Sequence, residues 1–96
     1  MNNKEVEQIF IDTLESTPGI SAIIKSDDEF NSNIPAVFNV CENNNIWNFI
    51  ATMKLHNNSN AKDIVNSVSN TLKFKLKRKK QNIGKINLFI GGISND

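Results

Sequence analysis

Between Ile46 and Leu55 every second residue is apolar. Trp47, Phe49, Ala51, Met53 and Leu55 share one face, and Ile46, Asn48, Ile50, Thr52 and Lys54 take the other. A period of two is that of a β-strand with one buried side. Such a strand must be covered, and the residues after it supply the cover. His56-Asn57-Asn58-Ser59-Asn60 breaks the strand, and Ser59 or Asn60 can cap a helix. Ala61, Ile64, Val65, Val68, Leu72 and Leu76 then recur at helical spacing, which predicts a helix from Ala61 to about Lys80. Its end also fits a strand, because Leu72, Phe74 and Leu76 alternate with Lys73, Lys75 and Lys77. The upstream period, the cap and the lysines near a negative helix end favour the helix. On that reading Phe74 projects away from the buried stripe. Gly84 fits a turn, and Lys85 to Ile93 is a closing strand with Ile86, Leu88 and Ile90 inward and Asn87 and Phe89 outward.

The first half is shorter in signal. Asn2 or Asn3 can cap a helix in which Val6, Ile9, Phe10 and Leu14 form a stripe and Glu5 and Glu7 lie near its positive end. Thr17-Pro18-Gly19 ends it: proline suits the first central position of a type II turn, and glycine the position of positive φ. Ile20 to Lys25 is a strand rich in β-branched residues, and Ser26 to Asn33 is a polar loop. Asp27-Asp28-Glu29 lacks the spaced oxygens and glycine of a calcium loop. Ile34 to Val40 alternates, with Pro35 near its start as at a sheet edge. Glu42-Asn43-Asn44-Asn45 joins this run to the Ile46 strand as an antiparallel hairpin.

The expected architecture is α+β in the order α-β-β-β-α-β, a two-layer sandwich with a mostly antiparallel sheet and both helices on one face. Residues 1–93 form one domain and 94–96 a frayed tail. The reverse face would present Val37, Ile50 and Phe89 among Asn39, Asn48, Thr52 and Asn87, more apolar than solvent contact requires. Val37, Ile50 and Phe89, with Phe74, are therefore the candidate protein interface, and a homo-oligomer is expected.

The net charge of +1 hides a split. Residues 1–30 carry a net −5 and residues 31–96 a net +6. The candidate basic patch is Lys73, Lys75, Lys77, Arg78, Lys79 and Lys80, which could meet phosphate backbones or anionic headgroups or simply solvate a helix end. Neither a GxxG loop nor RNA-recognition aromatics accompany it, so nucleic acid is not the expected partner. No apolar run reaches the ~20 residues of a membrane helix. The first residues lack the basic-then-apolar order of a signal peptide, so a cytoplasmic protein is expected. Cys41 stands alone, without a disulfide mate or zinc set, and is expected to be a packed, inert thiol in a strand. His56, the single histidine, reads as a turn residue rather than a metal ligand or general base. The glycines at 19, 84, 91 and 92 form no phosphate loop, and no serine sits in a nucleophile elbow. No enzyme, cofactor, metal or small-molecule substrate is expected.

The order of elements and certain short motifs resemble the alkaline shock (envelope stress response) family of low-GC Gram-positive bacteria. Thr17-Pro18-Gly19-Ile20 is similar to that family's V-P-G-V turn, and Ile86-Asn87-Leu88-Phe89-Ile90-Gly91-Gly92-Ile93 to its closing V-N-V-x-V-x-G-I strand. The family's second helix often carries a central glutamine, where this chain has Ser67, Ser69 and Asn70. The resemblance implies a non-enzymatic, self-associating cytoplasmic protein. It implies a role in envelope homeostasis, near the membrane through a membrane-anchored partner. The shared motifs are structural, so no catalytic residue carries over. The alternative is a small module that binds RNA or anionic lipid through Lys73 to Lys80.

Overall fold

A computed structural model describes residues 2–24 and 38–94. Helix α1 spans Asn3–Ser16, strand β1 Ile20–Ile24, β2 Phe38–Asn43, β3 Ile46–His56, helix α2 Ala61–Arg78 and strand β4 Asn82–Ser94. The order α-β-β-β-α-β and the α+β class are as expected from the sequence. The predicted strand at Ile34–Val40 starts outside the described residues and continues to Asn43. Lys25, the loop Ser26–Asn33 with its acidic cluster, and Val37 also lie outside them.

Both helices start at asparagine caps. Asn2 Oδ1 accepts from the Glu5 N–H at 2.8 Å, and Asn60 Oδ1 from the Asp63 N–H at 3.2 Å. Each cap satisfies one orphan donor of a first turn. The type II turn forms as predicted, with Gly19 at φ 98 and the Ile20 N–H reaching Thr17 O at 3.5 Å. The β2–β3 hairpin closes on Asn44 (φ 54) and Asn45 (φ 66), the left-handed pair of a type I′ turn.

The end of α2 corrects the sequence reading. Gly84 is not in the turn; Lys80 makes it, at φ 59. The Gln81 N–H reaches Leu76 O and the Lys80 N–H reaches Lys77 O, both at 3.0 Å, which is a Schellman closure with lysine in the left-handed place. Gly84 lies within β4, where a Cβ would come 2.5 Å from Asn48 Oδ1 and 2.6 Å from Ile46 Cγ2. The same Asn48 oxygen accepts from the Lys85 N–H at 2.9 Å, filling the gap left where β4 carries one extra residue against β3.

β3 is the central strand and pairs with the other three. β4 runs parallel along residues 46–56 of it. β1 pairs antiparallel with residues 52–55 and β2 with residues 46–51, so β1 and β2 share the other edge of β3, end to end. The two antiparallel pairings thus flank β3 on one side, and its longest pairing is parallel.

One face of this sheet carries the core. Trp47, Phe49, Ala51, Met53 and Leu55 are buried against Val6, Phe10 and Leu14 of α1 and Ile64, Val68, Leu72 and Leu76 of α2. Both helices therefore cover the same side. Residues 72–77 are helical, and Leu72 and Leu76 are buried while Phe74 between them is exposed, as a helix requires and an alternating strand does not. The core is joined to polar groups where it must be: Trp47 Nε1–H donates to Gln81 Oε1 at 3.0 Å. Thr13, fully buried, donates its hydroxyl to Ile9 O at 2.8 Å and accepts from Lys75 Nζ at 3.2 Å, tying α1 to α2.

Candidate functional site

The two surfaces singled out from sequence were an apolar sheet face and a basic helix end. The reverse face of the sheet is not uniformly open. Ile24 and Thr52, cross-strand partners on that side, are 5% and 2% exposed, and Ile50 is half-buried. Phe89 is 51% exposed there, with Ile46 at 41%. Val37 lies outside the described residues. Phe74 is 62% exposed, but it stands on α2, in the helix layer on the opposite side of the sheet. Ile50, Phe89 and Phe74 are therefore not one patch: alternation carries Phe89 away from the helices, while helical geometry turns Phe74 into solvent.

What the sequence reading missed is on β4. Ile90 and Ile93 belong to the helix side of the sheet, paired with Met53 and Leu55, yet stay 45% and 63% exposed. With Phe89 they concentrate exposed apolar surface at the C-terminal half of the edge strand, on both of its faces. A signal for this existed. A strand-helix-strand unit with a parallel return puts its last strand beside its first, where that strand presents a new sheet edge.

The basic run is divided by the helix. Lys73, Lys77, Arg78, Lys79 and Lys80 are exposed, whereas Lys75 is half-buried and turned to Thr13. No ion pair joins these cations to an acid among the described residues. The Arg78 guanidinium lies 5.7 Å from the centroid of the Phe74 ring, a cation–π distance at which Arg78 shields part of an exposed aromatic. The concavities beside α2 are shallow and open, one lined by Ile9, Lys75, Arg78 and Lys79 and another by Lys73, Lys77, Gln81, Asn82 and Ile83.

Cys41 is exposed, which corrects the expectation of a packed thiol: it sits at a reverse-face position of β2, opposite Asn48. His56 is exposed at the end of β3. Among the described residues no group of three or more His, Cys, Asp or Glu side chains comes together, and no helix is long and apolar enough to cross a membrane.

The chain matches no protein-family model and no curated protein. Its fold is shared with solved structures of the MamM C-terminal domain. A copper form of one variant superposes with a TM-score of 0.67 at 11% identity, over 95% of this chain and 98% of that one. A nickel form of another gives 0.65 at 11% identity, over 93% and 96%. A third variant gives 0.66 at 11% identity, over 93% and 95%. At that identity the likeness is one of fold: this chain has the two-layer α+β fold of the MamM C-terminal domain.

Proposed function

We propose that this is a non-enzymatic, self-associating interaction domain of the alkaline shock type, held near the membrane by a membrane-anchored protein partner. The observation that carries the self-association is the apolar surface of Phe89, Ile90 and Ile93, three of the five exposed large hydrophobics among the described residues, gathered on one strand. Exposed apolar clusters of this kind mark interaction sites. The family part of the reading rests on the Thr17-Pro18-Gly19-Ile20 turn and the closing strand from Ile86 to Ile93. Sedimentation equilibrium at micromolar concentration should give a dimer or larger. Phe89→Glu should shift it toward monomer with an unchanged melting curve, because the side chain is half exposed in the single chain. A wild type that stays monomeric throughout would remove the reading.

Phe74 favours a second reading, a module that binds anionic surfaces of RNA or lipid. An exposed aromatic beside Lys73, Lys77 and Arg78 joins apolar contact to exposed positive charge. Neutralising Lys77, Arg78 and Lys79 should then weaken binding and lower the slope of log K against log salt by about one for each phosphate no longer neutralised. Absent or salt-insensitive binding disposes of it.

A further inference from the structure

We propose that a second copy of this chain completes the sheet, β4 pairing antiparallel with β4 of the other copy about a two-fold axis at Leu88. This rests on the self-association reading above and gives it a seat and a register. β3 occupies one edge of β4, and among the described residues no strand pairs with the other. A free edge presents a row of N–H and C=O groups that an extended strand satisfies as a set. Soluble proteins usually guard such an edge by keeping it short, charged or interrupted by proline. β4 is 13 residues long, has no proline and carries Lys85 as its single charge.

The sequence of the strand selects the occupant. Two irregularities interrupt its pairing with β3, one opposite Asn48 and one between Met53 and Lys54, and the regular stretch between them is Ile86 to Ile90. On the helix side this stretch presents Ile86, Leu88 and Ile90, apolar in the same order from either end. An antiparallel two-fold at Leu88 sets Ile86 against Ile90 and Leu88 against its own copy. On the reverse side it sets Asn87 against Phe89. Lys85 falls opposite Gly91, whereas a parallel arrangement in register would stack Lys85 on Lys85, like charges directly opposed. Gly84 falls opposite Gly92.

Gly92 gives a separate indication. Its φ is not left-handed, and a Cβ there would meet only the methylenes of Lys54, at 3.8 Å or more. Its own chain therefore has no steric need for glycine at this place. Gly92 adjoins the irregularity between Met53 and Lys54, and a strand glycine marks such a bulge or leaves room for close approach by another backbone. The pairing also covers Phe89 and Ile90, which the single chain leaves half exposed.

Two variants test the register. Ile90→Lys sets an ammonium against Ile86 of the second copy, and its position is exposed enough in the single chain for the fold to tolerate it. The dimer dissociation constant should rise about tenfold or more, as for a truncated hot spot. In a Cys41→Ser background, Leu88→Cys should form a covalent dimer on diamide oxidation, because opposed Cα atoms of an antiparallel pair lie about 5 Å apart. A dimer that Ile90→Lys leaves intact, or one in which Leu88→Cys resists cross-linking, overturns the edge pairing while self-association stands, by way of the reverse face. A monomeric wild type overturns both and hands the edge to a strand of another protein. Circular dichroism checks that Ile90→Lys is folded; where it is not, the cross-link decides.

Discussion

Phe10→Ala is expected to destabilise the domain by about 3–5 kcal/mol, the cost of deleting a buried phenyl ring and leaving part of its cavity unfilled. Phe10 is fully buried and touches two other rings, Phe38 stacked at 5.5 Å and Phe49 edge-on at 4.9 Å between centroids. Those contacts join α1 to both β2 and β3, and aromatic pairs add about 0.5–1.5 kcal/mol each beyond the area they bury. A domain of this length has roughly 5–15 kcal/mol in all, so the loss removes a large share of it. Urea unfolding should show the midpoint fall with little change in slope. A loss below about 1 kcal/mol would mean that α1 does not depend on this ring for its docking.

Gly19→Ala is expected to cost about 2–4 kcal/mol, through two separate effects. At φ 98 an L side chain is strained wherever it points. The added Cβ would also lie 2.6 Å from Ile64 Cδ1 and 3.2 Å from Ser59 Oγ. Ile64 is in the core, so its methyl can give way only by disturbing packing against α1 and β3. Gly19 O further accepts from the His56 N–H at 2.8 Å, which pins the turn after α1 to the end of β3. Thermal melting of Gly19→Ala against Pro18→Ala separates the causes. The alanine at 18 should cost less than about 1 kcal/mol, because the turn's φ there is one that any residue adopts. Equal losses at both positions would refute the steric account.

These two sites also mark what was legible in advance. The Phe10 stripe and the Pro18-Gly19 stop are local, written in spacing and in backbone allowance, and both stand where the sequence put them. The buried face of β3 and the stripe of α2 were legible for the same reason. Lys80 was not, because a left-handed lysine has no sequence mark and is held there by the closure onto Leu76 and Lys77. Thr13 carries no sequence mark of burial; its hydroxyl is satisfied by Ile9 O within α1 and by Lys75 Nζ, a contact from a segment far along the chain. The candidate interface was half legible. Alternation placed Phe89 on the reverse face, but exposure at Ile90 and Ile93 depends on how far α2 reaches along β4.

Periodicity, caps and turn residues thus determined the elements, their order and the face each one buries. All of these act within a few residues along the chain. Pairing decided the rest. That β1 and β2 share one edge of β3, that β4 takes the whole of the other, and that no strand among the described residues pairs with the far edge of β4 all follow from contacts between segments far apart in sequence. A strand's own pattern specifies which of its faces is buried, but not which strand lies beside it, so the exposed apolar surface of β4 exists only once the sheet is assembled.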